Sequence, residues 1–444
     1  MPAPELERRL SLWDAVMLNV GTIIGSGIFF VPAVIAAHLP ATGPVLAVWI
    51  LGGIVSLFGA LTIAELGAAM PRAGGQVVYL HKAFGPLWGF LYGWTSLAVI
   101  NTAAIAAVAV AAATYLAHFF PFSPGQIKLL AILSILFLTG INILGVIWGA
   151  RVQNLFTLAK VFAILALIFF CFALGEPSQP FTPLLLSTPG QGWSSPLALA
   201  MIAVLWSYDG WIEITYVAGE VKQPQRNLPL ALAWSTVIII VIYLLINLAF
   251  LYVLSPGGMV GAERVAADAA TVVLGSAGAA WVAAAVVVST FGANNGFILG
   301  ASRIYYAMAR NGLFFSVFGR IHKTRHTPVI SLAVQAAWAC VLVLSGTFEQ
   351  LFTYVVFASW FFYALSAAAV IRLRVIAPDM DRPYKVWGYP VTPLLFLGFC
   401  LWLVVSAILE NPSNALIGIA IMISGFVLYF LRPKNGQAGE EDNL

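Results

Sequence analysis

The sequence predicts an all-α integral membrane protein with about twelve transmembrane helices. They are arranged as two inverted blocks of five plus two more, with helices one and six discontinuous. Three observations carry this. First, the 444 residues are 61% hydrophobic and 9% charged, with mean hydropathy +0.96, far outside the soluble globular range. Second, lysine and arginine are sorted between alternate loops. Third, two apolar segments five spans apart are each interrupted near the middle.

Apolar runs near the ~20 residues a span requires fall at 12–37, 44–69, 84–117, 128–147, 152–174, 195–218, 229–254, 272–308, 329–345, 350–373, 390–409 and 414–431. Turn chemistry separates them, including Pro71-Arg72-Ala73-Gly74-Gly75, Pro121-Phe122-Ser123-Pro124-Gly125 and Ser255-Pro256-Gly257-Gly258. The third and eighth runs are long enough for strong tilt or for extension beyond the bilayer. With the N-terminus inside, 17 of the 21 lysines and arginines fall on inside segments, two outside and two within spans. A missed span would scramble that asymmetry, so both ends are expected in the cytoplasm. The chain then divides into a cytoplasmic N-terminus (1–10), a first five-helix repeat (11–175), a second, inverted repeat (194–375), helices eleven and twelve (389–431) and a cytoplasmic tail (432–444). The polar first residues and the long first run read as a membrane entry and not a cleaved signal.

The first interruption is Gly21-Thr22-Ile23-Ile24-Gly25-Ser26-Gly27. Three glycines weaken a helix. In a bilayer, unpaired backbone survives only where it is buried in protein or lines a cavity. Taken alone, the stretch fits either two half-helices or close helix packing through small residues. The sixth run decides it, because Trp206-Ser207-Tyr208-Asp209-Gly210 falls at the matching position of the second block. Paired interruptions are the pattern of an inverted-repeat transporter with its site at the midplane. Amide donors near Gly25-Ser26-Gly27 suit a carboxylate. Carbonyls freed in 207–210 suit an ammonium. Together they match an α-amino acid.

Ionisable groups within spans are functional candidates, at ~2.5–3.5 kcal/mol each on insertion scales. Lys160 lies nine residues past Arg151, ~13–14 Å deep at 1.5 Å per residue. Three uses stay open: a proton carrier, a fixed charge in place of a sodium ion, or a structural peg on backbone carbonyls. Asp209 and Glu213 are four apart, and Asp209 either caps the next half-helix or meets substrate. Glu65 and Glu220 near the cytoplasmic ends are either gate ion pairs or solvated charges, with Arg303 able to pair with either. Asn294 and Asn295 bond across helices or line the pathway. Tyr243, one hydroxyl in an apolar stretch, reads as core. Trp206, beside the second break, is a lid candidate.

Other classes find little support. There is no G-x-x-x-x-G-K-[ST] run, so no nucleotide-driven engine. Cys171, Cys340 and Cys400 lie in apolar runs and suit neither a disulfide framework nor zinc. The five histidines fall at span ends and in loops, unlike metal-spaced catalytic groups, and no output domain marks a sensor. No cofactor, metal or nucleic-acid partner is expected.

The chain resembles the L-amino acid transporter (LAT) family of the amino acid–polyamine–organocation (APC) superfamily. The resemblance runs from Leu10 to the last span. It is carried by Gly21-Thr22-Ile23-Ile24-Gly25-Ser26-Gly27-Ile28-Phe29, Ala64-Glu65-Leu66-Gly67, Ser207-Tyr208-Asp209-Gly210-Trp211, Glu220-Val221-Lys222-Gln223-Pro224, Ser302-Arg303 and Arg382-Pro383-Tyr384-Lys385-Val386. It implies a LeuT-like five-plus-five inverted repeat and sodium-independent exchange of small neutral L-amino acids by alternating access. Ile24, Gly25, Ser26 and Gly27 would hold the substrate carboxylate. Backbone near Trp206, Ser207 and Asp209 would hold the amino group. Trp206 would be the aromatic gate. Lys160 would replace sodium, with Tyr243 cooperating; from its mid-span position alone, Asn295 is counted as a supporting residue. The alternatives are a proton-coupled symporter using Lys160 and a transporter of cationic amino acids or polyamines. Animal members carry a cysteine between spans three and four that joins a heavy-chain partner. The loop His118–Lys128 has none, so no covalent partner is expected.

Overall fold

The computed structural model describes residues 6–178, 194–262, 264–345, 348–410 and 412–431. Most of the loop at 175–193, the tail 432–444 and the first five residues lie outside them. Outside the breaks in the first and sixth spans, the backbone within each span pairs with itself, as hydrocarbon requires. The chain forms α1 (Leu12–Ile23), a 3-10 turn (Gly27–Phe29), α2 (Val31–His38), α3 (Thr42–Ala69) and α4 (Gln76–Phe84). Next come α5 (Pro86–Thr95), a π-helical turn (Ser96–Ile100), α6 (Asn101–Leu116), α7 (Pro124–Leu144) and α8 (Val146–Leu174). The second half is α9 (Ser194–Tyr208), α10 (Glu213–Tyr216), α11 (Pro224–Met259), α12 (Val265–Leu274), α13 (Ser276–Arg310), α14 (Val329–Ser345), α15 (Phe348–Ile376), α16 (Val391–Glu410) and α17 (Pro412–Leu431).

Among the described residues, eight stretches are long and apolar enough to cross a membrane. Four shorter apolar helices, beginning at Leu12, Pro196, Val329 and Leu416, fall in the remaining expected segments. Two details differ from the hydropathy reading. The eighth run starts at Ser276, because Gly275 at φ 64° ends α12 as a separate helix. The seventh run extends from Pro224 to Met259 with a kink at Ser255, beside Pro256. The apolar surface left outward, such as Phe137, Phe162 and Leu155, is what a lipid-facing shell requires.

Charged pairs clamp one end of the bundle. Glu220 receives two bonds from Arg303, at 2.7 and 3.0 Å, with both side chains fully buried. Glu65 is held by Arg374 at 2.8 and 2.6 Å and by the Val386 amide at 2.7 Å. The solvated reading of both acids therefore fails, and Arg303 pairs with Glu220. The Arg9 and Leu10 amides also donate to the Glu220 carbonyl, so the N-terminal segment lies at the same end as the exit of the sixth span. Asn295 bonds to Asn142, Gln153 and the Gly149 carbonyl, which is the cross-helix role and not a pathway one.

Candidate functional site

The first span stops being helical at Ile24, at ψ 88°. The Gly25 amide then turns back on the Ile23 carbonyl before the 3-10 turn begins at Gly27. The freed carbonyls are met by side chains from three other helices. Lys160 of α8, fully buried, donates to the carbonyls of Gly21, Ile24 and Ser289, each at 2.7 Å. Three donors to three acceptors is the complete donor set of an ammonium. The Ser289 hydroxyl sits 2.9 Å from the carbonyl oxygens of both Ile24 and Gly25.

The sixth span breaks at Asp209. Gly210 adopts φ 105°, and a Cβ there would lie 3.0 Å from the Thr22 carbonyl carbon. Only glycine meets both the left-handed backbone and the close approach. The two breaks are sewn together at this point. Thr22 Oγ1 lies 3.0 Å from the Gly210 carbonyl oxygen, and the Ile214 amide donates to Asn19 at 3.1 Å. Tyr243 of α11 places its hydroxyl 3.1 Å from the Ile23 carbonyl and 2.9 Å from the Ser207 carbonyl. It thus reaches one freed carbonyl from each break, which its sequence context did not reveal.

Between the breaks lies a cavity. Gly25, Ser26, Gly27, Trp206, Ser207 and Asp209 all line it. Ile24 does not; its carbonyl turns toward Lys160. Lys160, Tyr243 and Asn295 stand behind the wall. Ser26 Oγ is buried there and has no hydrogen-bond partner. A buried polar atom left unpaired costs about 1–3 kcal/mol, so an oxygen of that kind on a cavity wall is poised for a ligand. Asp209 accepts from the Gly210 amide at 2.9 Å and from the Tyr363 hydroxyl at 2.6 Å. It therefore caps its own turn while its carboxyl lines the cavity. Phe30 and Trp206 approach at 5.5 Å between ring centroids, and Trp206 lines the cavity.

Sequence reasoning missed part of the wall. Asn101, Phe297, Ser359 and Tyr363 come from the third, eighth and tenth spans. None sits in an interrupted segment. Asn101 does follow the π-helical turn at Ser96–Ile100, and such turns often mark functional sites. Only tertiary structure brings these side chains to the breaks.

Comparison with known proteins gives a consistent picture. The amino acid permease family model matches residues 10–431. The serine/threonine exchanger SteT of Bacillus subtilis is 33% identical over 428 residues, 96% of this chain and 97% of that protein. The b(0,+)-type amino acid transporter 1 of Mus musculus is 33% identical, covering 96% of this chain and 88% of its own. The human cystine/glutamate transporter is 32% identical, covering 96% and 85%.

Proposed function

The chain belongs to the amino acid permease family and is a multi-pass membrane transporter of amino acids; from that premise we propose that it exchanges small neutral L-amino acids, without sodium, by alternating access around the cavity between the two breaks. The observation that carries the assignment is the chemical division of the wall. The Ser26 hydroxyl and the backbone of Ser26 and Gly27 offer donors for a carboxylate. Asp209 and the backbone of Ser207 offer acceptors for an ammonium. Trp206, a ring on the cavity wall, limits the room left for a side chain. Small neutral substrates also agree with what the name of the Bacillus relative states for that protein.

Lys160 replaces sodium in this reading. Its ammonium binds the carbonyls that a bare cation would otherwise bind, so the first break needs no ion from solution. The two blocks at 11–175 and 194–375 act as inverted halves that rock about the site. Both termini face the cytoplasm, as the loop charges require. No covalent heavy chain takes part. The test is uptake of labelled amino acid into sodium-free proteoliposomes. Vesicles preloaded with unlabelled amino acid should take up label many-fold faster than empty ones. Equal uptake into both contradicts exchange, and no uptake of any amino acid contradicts the reading as a whole.

A further inference from the structure

One buried charge is left out of this scheme. Glu213 opens α10, one turn beyond the second break, and lines the cavity. It is 4% exposed, and its Oε2 is buried with no hydrogen-bond partner. Among the described residues, Glu65, Glu220 and the cavity-lining Asp209 are all matched. Glu65 and Glu220 have arginines, and Asp209 has an amide and a tyrosine. The groups around Glu213 do not supply a cation. Tyr92 of α5, Tyr216 of its own segment, Tyr305 of α13 and Tyr363 of α15 surround it, and Asp209 faces it with charge of the same sign. Arg303 of α13 is taken up by Glu220, the Leu299 carbonyl and Ser302. Among the described contacts, α1 brings the neutral Asn19 to α10, and α11 brings no charged side chain.

Geometry limits what the missing partner can be. Oε2 is packed against α13 so tightly that a Cβ at Gly300 would stand 2.5 Å from it. The helix backbone therefore closes the α13 side of the oxygen, while the residue as a whole still borders the cavity. An isolated buried carboxylate is very costly, and a proton on Oε2 removes the uncompensated charge without adding an atom that needs room. Glu213 is the first residue of the short α10 turn beyond the break, so it sits at the edge of the cavity and against α13 at once.

We propose that Glu213 is a proton-binding site coupled to occlusion: closing the cavity around an amino acid requires a proton on Glu213, so that each loaded crossing carries one proton with the substrate. The step is balanced. Hydronium on the open side gives its proton to the carboxylate, leaving water and a carboxylic acid. After the crossing, water on the other side takes the proton back. This rests on the transport reading above, and it places the proton on Glu213 and not on Lys160, whose three donors are all engaged.

The test is the heat of binding of a small neutral amino acid to the purified full-length protein, in buffers of different ionisation enthalpy. The dependence on buffer counts protons taken up per amino acid bound. Wild type should approach one proton per amino acid near neutral pH, Glu213→Asp should retain uptake, and Glu213→Gln should show none. Binding without proton uptake in wild type overturns the proposal, as does equal uptake in Glu213→Gln. Absence of binding by any amino acid in wild type instead contradicts the transport reading. An infrared difference spectrum of wild type needs no variant: a protonated-carboxyl band should grow on amino acid binding, and its absence overturns the proposal.

Discussion

At the first break a lysine and two hydroxyls reach the carbonyls of Gly21, Ile23, Ile24 and Gly25. At the sixth-span break the added charges are instead carboxyls, Asp209 and Glu213. Both breaks answer the same demand, since backbone without partners is costly at membrane depth. They answer it with opposite chemistry. A cation standing behind the first break consumes its acceptors and leaves donors facing the cavity. Acids beside the second break leave acceptors facing the cavity. The asymmetry makes the site polar along one axis, which matches the polarity of a zwitterion. It also separates Lys160 from Glu213: the one buried ion has every donor matched, the other has an oxygen with no partner.

The comparison is broken most severely by removing the cation. Lys160→Met should lower counterflow by more than about 100-fold, equivalent to about 2.7 kcal/mol, while the protein still inserts and elutes as a folded species. The freed carbonyls then have a vacancy of cation size, and partial rescue by sodium would sharpen the account. Ser26→Ala removes the unpaired hydroxyl on the donor side. It should raise KM about 10-fold, the loss of one hydrogen bond to a charged group, with little change in the amount of inserted protein. Tyr243→Phe removes the hydroxyl held between the Ile23 and Ser207 carbonyls. It should slow exchange about fivefold, near 1 kcal/mol, and act on rate more than on KM. The smallest effect is expected for Gly25→Ala. A Cβ there meets nothing within 4 Å and points into open space, so KM should rise only about two- to threefold.

Much of this asymmetry was legible in the chain itself. The two interruptions stand out because glycine and serine cluster inside apolar runs, and Lys160 stands out because a charge at that depth is expensive. The six residues other than Ile24 that the family pattern assigns to the carboxylate and amine ends all line the cavity. Ile24, which the resemblance sets at the substrate carboxylate, does not line the cavity, and its carbonyl faces the lysine. The remainder was hidden for physical reasons. Tyr363, Ser359 and Asn101 lie in unbroken helical pattern, and helical periodicity does not say which helix a face will meet. Glu65 and Glu220 could be read as solvated because their partners lie 309 and 83 residues away along the chain. Glu213 was visible as an acid but not as an unmatched one, since matching is a property of the packed core.

The claim that the cavity between the breaks is the amino acid site is tested most directly at Gly27. A Cβ there would lie 2.8 Å from Ser207 Oγ and 2.9 Å from the Trp206 ring, so a branched side chain forces the two breaks apart. Counterflow of a labelled small neutral amino acid should be measured for wild type and Gly27→Val at equal amounts of inserted protein. The account predicts rapid exchange in wild type and none above background in the variant. Exchange at the wild-type rate in Gly27→Val would show that the glycines serve helix packing and that substrate crosses elsewhere.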